Sequence, residues 1–387
     1  MPGTKPEFAI GIDIGGSHIT AAIVNVDERR IIYDTLTKEN LDPKQEATVI
    51  LSVWTSCIRQ CLDKFEGHPL IGMGISIPGP VDYEKGISEL MGNDKYEKLY
   101  GLDLRHYLYI QFKDRISHPN KITFINDANG FLLGESWIND LRHDHIVAIT
   151  LGTGIGSGFM QKGVVVNDGP GVPERGEVFN MPFKNKWSED FISTRWFLKE
   201  YRQRFGVGVK NVKEIADQAA ESHKVRALFH EFGTNLGSFL EPILREFDAD
   251  VLVFGGNVSK SYPLFREAFA SCFDQRMPRI HFSEDTEHAA VAGAVKNILS
   301  SGSKEVPRRL SDQFQMPIEE LRETEPNSYD IYPSFEVSEG SIETGYLKLA
   351  KALSFHSHVC IDGYLGIDWD VFIQRLTLAF EQLNVPC

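Results

Sequence analysis

Four short segments carry residue types suited to phosphate chemistry: Ile12-Asp13-Ile14-Gly15-Gly16-Ser17, Asn126-Asp127-Ala128-Asn129, Leu151-Gly152-Thr153-Gly154-Ile155-Gly156 and Phe254-Gly255-Gly256-Asn257. A backbone that cradles phosphate must approach it closely and offer N–H groups, and glycine permits both without steric cost. Asp13, just ahead of Gly15 and Gly16, is placed either to hold a hydrated Mg²⁺ beside such phosphates or to cap a turn, and spacing alone does not decide between the two. Taken singly, a glycine after a strand marks only a turn or a bulge. As an ordered set the four segments describe a phosphate-transfer cleft split across two half-domains.

The elements that must position these residues follow from hydrophobic patterning. Phe8–Ile14, Ile19–Val26 and Ile31–Leu36 read as a three-stranded antiparallel meander with glycine and charged turns. A helix over residues 44–65 follows, then the strand Ile71–Ile77, broken by Pro78-Gly79-Pro80. A polar loop carrying Asn93 leads to a helix near Leu102–Phe112 and a short strand, Ile122–Ile125. Asn126 and Asp127 stand at that strand's carboxyl end, before a helical run toward Trp137. Ligands of open α/β sheets bind at such ends, and a helix start there offers free N–H groups. From its residues alone, Asp127 reads as a helix N-cap.

A second meander with a glycine turn occupies residues 146–166, so one sheet-based unit is duplicated. Later segments complete it: a helix around His223–Phe247, the strand Val251–Phe254, a helix near Tyr262–Phe273, the strand Arg279–Phe282 and a small-residue helix through Ala289–Ala294 whose narrow face packs close to a sheet. Residues beyond Ser300 turn polar and proline-spotted, a linker, before patterning returns as a helix, a strand-like His358–Ile361 and an amphipathic helix from Trp369 to Leu383.

Composition narrows the function classes. The 387 residues are 42% hydrophobic, enough for full cores in two or three domains. A formal net charge of −14 argues against nucleic-acid or anionic-membrane partners, which reward a basic surface. Five cysteines, an odd number, do not suggest a disulfide framework, and no charged-then-apolar leader precedes Phe8; the expectation is a reduced, cytoplasmic protein. Cys57 and Cys61 lie four apart on a helix with no further ligands nearby, which makes them packing cysteines rather than zinc ligands. Lys184 and Lys186 could attract phosphate, though a solvated loop is the simpler reading.

At this point the motifs resemble those of the ROK family of sugar kinases and sugar-responsive repressors, over roughly residues 8–300. The resemblance implies an α/β, actin-like ATPase (ribonuclease H-like) fold, with two lobes of duplicated βββαβαβα units and a C-terminal α/β appendage. Its boundaries would be 1–125 for the N-terminal lobe, 126–288 for the C-terminal lobe, 289–303 for a helix returning to the first lobe, 304–340 for a linker and 341–387 for the appendage.

Ile12–Ser17 is similar to the family's first phosphate loop, with Asp13, Gly15, Gly16 and Ser17, and Gly152–Gly156 to its second, with Gly152, Thr153 and Gly154. Gly255, Gly256 and Asn257 resemble its adenosine-side loop, and Ser76–Asp82, with Gly79, its sugar-side loop. The resemblance makes Asp127 the general base, ATP the phosphoryl donor and Mg²⁺ the ion at Asp13, held through water. Asn93, Asn126, Glu177, Asn180 and Glu189 would then contact the sugar. The family's Gly-Glu-x-Gly-His segment survives as Gly176-Glu177, with Asn180 in place of histidine. Phe183–Trp187 carries no cysteine where the family has a cysteine-rich zinc loop, so no structural zinc is expected.

The leading expectation is therefore an ATP-dependent hexose kinase acting on glucose or a close relative at the 6-hydroxyl, working as a homodimer on a small-molecule sugar. A repressor of the same family would need an N-terminal helix-turn-helix module, and only seven residues precede the first strand. A non-catalytic sugar sensor or regulatory subunit is the alternative. The tail reads equally as a dimerisation arm, a lid or the start of a further module.

Overall fold

The computed structural model describes residues 6–65, 67–91, 95–141, 143–274, 276–300, 346–354 and 369–383. The chain opens with β1 (Phe8–Ile14), β2 (His18–Asn25) and β3 (Arg30–Asn40), then α1 (Ala47–Asp63) and β4 (Met73–Ile77). A small hairpin of β5 (Val81–Asp82) and β6 (Ile87–Ser88) and the helix α2 (Leu104–Phe112) precede β7 (Ile122–Asn126) and α3 (Asp127–Ile138). The second half repeats the plan with β8 (His145–Leu151), β9 (Ile155–Gln161) and β10 (Val164–Val166). A hairpin of β11 (Pro182–Phe183) and β12 (Lys186–Trp187) leads into α4 (Thr194–Phe205), α5 (Val212–Ala216) and α6 (His223–Glu246). β13 (Val251–Gly255), α7 (Tyr262–Ala270), β14 (Arg279–Phe282) and α8 (Thr286–Ser300) complete it.

The duplication is visible in topology. One sheet runs β3-β2-β1-β4-β7 and the other β10-β9-β8-β13-β14, each an antiparallel meander continued by two parallel strands. In both, the parallel strands end on the same side, and the glycine segments lie just beyond those ends. β1 and β4 are buried on every residue, which is why Phe8–Ile14 is nearly continuous in apolar character instead of alternating.

Close backbone approach explains several glycines. A methyl on Gly11 or Gly74, neighbours across β1 and β4, would collide with the Val291 and Ala294 carbonyls of α8. A methyl on Gly134 of α3 would strike the backbone of Ala289, and one on Gly293 would strike Gly130. The small-residue helix thus lies against the first sheet and, on another face, backbone to backbone with α3. Under the second sheet an aromatic core of Phe197, Phe229, Phe232, Phe254, Phe265 and Phe269 packs among α4, α6 and α7.

β3 extends to Asn40, past the expected Leu36. A register shift between Ala21 and Ile23 interrupts its alternation, and buried Thr37 donates from Oγ1 to the Ala21 and Cys57 carbonyls, so the polar end still belongs to the strand. Cys57 and Cys61 are buried on α1, and burial pushes the Cys61 thiol up to about 12, leaving it an inert packing group. In the tail, α9 (Tyr346–Leu353) and α10 (Trp369–Gln382) pack through Ala350, Leu376 and Ala379. The linker 304–340 and the strand-like His358–Ile361 lie outside the described residues. No described helix is long and apolar enough to cross a membrane.

Candidate active site

Parallel register brings the first group of residues together. Asp13 on β1 is level with Ser76 on β4, and Ser76 with Ile125 on β7, one residue before Asn126. The helix cap here is Asn126 and not Asp127: Asn126 Oδ1 accepts from the N–H groups of Ala128 (3.0 Å) and Asn129 (3.3 Å). A cap of this kind stabilises a helix start by about 1 kcal/mol. Asp127 is the first helical residue, its Oδ1 accepting from Ala128 N–H at 2.9 Å, and its side chain remains exposed. The Asn126 amide donates to Tyr83 Oη at 3.4 Å, while a methyl on Gly79 would lie 2.9 Å from that hydroxyl. Gly79, Tyr83 and Asn126 therefore form one wall beside Asp127.

Electrostatics mark the same place. Burial, and then the charge of Asp127, push the Asp13 carboxyl up to about 7, with Ser76 and His18 acting the other way. The Asp127 carboxyl is also raised, first by desolvation, against which Ala128 N–H and the Lys95 charge act. Its exposure and its desolvation are compatible: the side chain keeps contact with solvent while the surrounding protein still raises the cost of its charge. Glu177 is raised by burial and by Asp127, which sets that carboxylate within the field of the same centre. Ser157 Oγ fixes it there, donating to Gly176 O at 2.6 Å and accepting from Val178 N–H at 3.1 Å.

The glycine loops converge on Asp127 from two directions. In the first, Gly15 N–H donates to His18 O at 2.9 Å and Gly15 O accepts from Tyr96 Oη at 2.5 Å. In the second, Thr194 N–H donates to Gly152 O at 2.9 Å. Among the described residues the N–H groups of Gly16, Ser17, Thr153 and Gly154 take no internal partner, as a phosphate cradle requires. Methyls on Gly156 and Gly158 would meet Ala128 Cβ at 3.3 Å and Asn129 Oδ1 at 2.9 Å, so β9 packs directly on the start of α3 and joins the Gly152–Gly156 loop to the Asp127 end of that helix. Gly256, at φ 82°, lies so close to Leu151 that a side chain would strike its backbone, which brings the Gly255–Asn257 segment against the start of the Gly152–Gly156 loop. Asn257 opens the short helical turn after it, exposed, with Lys260 Nζ donating to its Oδ1 at 3.2 Å.

The remaining sugar-side candidates are less tightly gathered. Glu189 sits in a turn at Ser188–Asp190, not at the start of a long helix, ion-paired with Arg195, its carboxylate over Gly154. Asn180 is exposed and lines a cavity of ≈ 540 Å³ with Phe179, Trp187, Glu189 and Arg195. The β11–β12 hairpin stands where the family's zinc loop was expected, held by Ser188 Oγ donating to the Val178 and Phe179 carbonyls. Lys184 is exposed, as a solvated loop implies, and its ammonium also donates to Asn235 Oδ1 at 2.6 Å and lies over the Phe183 and Phe191 rings. Asn93 lies outside the described residues. Sequence reasoning missed Tyr83, Lys95 and Tyr96, whose contacts with Asn126, Gly16 and Gly15 arise between distant segments without any motif of their own.

Two duplicated lobes, with glycine loops at their strand ends and an aspartate opening the connecting helix, define a protein of the actin-like ATPase fold. A sequence profile of the ROK family, matching residues 9–296, places the chain in that family. The glucokinase of Thermotoga maritima is 26% identical over 285 residues, 67% of this chain and 84% of that protein. The N-acetyl-D-glucosamine kinase of Histophilus somni is 26% identical over 323 residues, 75% of this chain and 98% of that protein. Among solved structures, a ROK family glucokinase from Streptomyces griseus, in complex with glucose and AMPPNP, shares the fold with a TM-score of 0.59 at 21% identity, over 75% of this chain and 98% of that one.

Proposed function

We propose that the protein is an ATP-dependent hexose kinase that phosphorylates glucose or a close relative at its 6-hydroxyl. The observation that carries this reading is the position of Asp127: it opens α3 at the end of a parallel strand, in the field of Asp13, with the second glycine hairpin packed on the next residue. The kinase relatives support the same reaction class.

A sugar hydroxyl is a poor nucleophile at neutral pH. Asp127, exposed to the cleft, accepts its proton as the oxygen attacks the γ-phosphorus. Asn126 has one amide N–H left for a sugar hydroxyl, because its oxygen caps the helix and its other N–H reaches Tyr83 Oη. Glu177, Glu189 and Asn180, with Asn93, orient the ring, and the N–H groups of Gly16, Ser17, Thr153 and Gly154 hold the phosphates.

Asp13 fits a divalent cation. Two neighbouring carboxylates raise each other's cost of ionisation, and a hard cation with its waters relieves it. When bound, Mg²⁺ would neutralise phosphate charge; Asp13 would hold it through water.

Release of ADP from Mg·ATP across a panel of hexoses, N-acetylhexosamines and fructose tests the reading, with Asp127→Asn alongside. Sugar-dependent turnover lost in the variant supports it. Sugar binding with no turnover would make the protein a sensor, a reading that the Glu189–Arg195 pair favours, since it occupies one expected sugar contact.

A further inference from the structure

Lys95 stands between the two halves of the chemistry. A methyl on Gly16 of the first phosphate loop would lie 3.1 Å from Lys95 Nζ, so the ammonium rests against that loop's backbone. Its charge also acts on Asp127, across the cleft floor from that loop. The next residue fixes this position. Tyr96 is fully buried, edge-on to Trp54, with its N–H donating to Pro43 O at 2.8 Å and its hydroxyl to Gly15 O.

Lys95 is half-buried, and among the described residues no carboxylate pairs with it. Its neighbours differ: Lys85 pairs with Asp82, and Lys98 with Glu46. Other basic groups near the cleft are also committed, Arg195 to Glu189 and Lys38 to Glu287. Asp13, Asp127, Glu177 and Glu189 make the surroundings strongly acidic, and a nucleoside triphosphate brings about four more negative charges. An ammonium with no carboxylate partner among the described residues has an obvious counter-charge in the phosphate that must pass between Gly16 and Asp127.

We propose that Lys95 binds the transferring phosphoryl group, its ammonium reaching from the first phosphate loop at Gly16 toward the acceptor hydroxyl at Asp127. The proposal rests on the phosphotransfer reading of the cleft and adds a residue to it. In the transfer, the sugar O–H gives its proton to Asp127 and its oxygen forms the new bond to the γ-phosphorus. The bond from that phosphorus to the bridging oxygen breaks, and the electron pair leaves with ADP. Lys95 keeps its protons throughout and balances charge on the peripheral oxygens. A lysine suits this task because its compact charge rides on a flexible stem and can follow the phosphorus from donor to acceptor.

The test uses the full chain with Lys95→Met and Lys95→Arg. Removing one preorganised donor to a developing charge typically lowers kcat by about 10²–10³-fold. That loss is expected for Lys95→Met with sugar KM little changed, and Lys95→Arg should recover part of it. Calorimetry gives a readout free of turnover: Lys95→Met should weaken AMPPNP while sparing ADP, which lacks the γ-phosphate. Melting temperatures near that of the unaltered protein would show that both variants fold.

A Lys95→Met enzyme with unaltered kcat overturns the proposal, as does equal weakening of AMPPNP and ADP, or a loss confined to sugar KM. Where the unaltered protein turns over and Lys95→Met matches it, the role of Lys95 fails alone. Where the unaltered protein shows no sugar-dependent turnover, the phosphotransfer reading fails and takes Lys95 with it.

Discussion

Asp13 at the end of β1 and Asp127 just after β7 are two carboxylates separated by the one strand β4, and their surroundings differ. Asp127 is exposed, as the proposed base must be to meet a bound hydroxyl, whereas Asp13 is buried at the foot of the Gly15–Gly16 loop. Asp127→Asn keeps the size and the helix start but removes the base, so kcat should fall by about 10²–10⁴-fold. Sugar affinity, read by calorimetry, should stay within a few-fold; a variant of undiminished kcat would remove Asp127 from catalysis. Asp13 makes a prediction about pH. Its carboxyl titrates at about 7 in the folded protein against 3.8 in a free chain, so the folded state holds this proton more tightly. Stability contributed by the protonated form is therefore lost as pH rises from about 4 to about 7. In the metal-free, nucleotide-free protein, Asp13→Asn should raise the melting temperature near neutral pH, by on the order of 1–3 kcal/mol in stability, and change it little near pH 4. A change of the same size at both pH values would count against this assignment.

Among the elements, α3 carries the site's precision. Its start is capped by Asn126, its first turn is packed by Gly156 and Gly158 of β9, and its middle touches α8 through Gly130, Gly134 and Gly293. Gly134→Val places a branched side chain against the Ala289 backbone, where neither helix can yield without moving. A loss of about 1–3 kcal/mol or more is expected by urea unfolding, with a fall in turnover as α3 shifts. Unchanged stability would mean the helices are not in backbone contact.

Much of this element-level plan was legible in the sequence, because glycine after a strand and small residues along a helix have few other physical causes. Asp127 was misread as a cap because Asn and Asp both cap helices, and the hydrogen bonds alone decide which one does so. Lys95 and Tyr96 were illegible: a lysine in a polar loop has no periodicity, and its partner is backbone near position 16, far away in the chain. Lys184 lies in an exposed loop as expected, but its contacts with Asn235 and two rings were not legible, because only folding brings those partners to it.

For the whole molecule, duplication has a mechanical consequence. Each sheet contributes one of the two glycine loops, and α8, packed on the first sheet, lies backbone to backbone with α3, which packs on the second; under the proposed function the rest of the two lobes would close on substrate. Closure over a sugar excludes water, so ATP hydrolysis without sugar should run at a small fraction of the sugar-dependent rate. Comparing the two rates checks this, and equal rates would contradict it. With a net charge of −14 the surface field repels polyanions, so added DNA should leave that rate unchanged.

The most direct measurement follows the phosphorus itself. Incubation with Mg²⁺, γ-labelled ATP and glucose, followed by separation of products, should place the label on the hexose 6-oxygen, with that product formed about 10²–10⁴-fold more slowly by Asp127→Asn. Label that remains in ATP or appears only as free phosphate, for every hexose tried, would contradict a phosphotransfer site at Asp127.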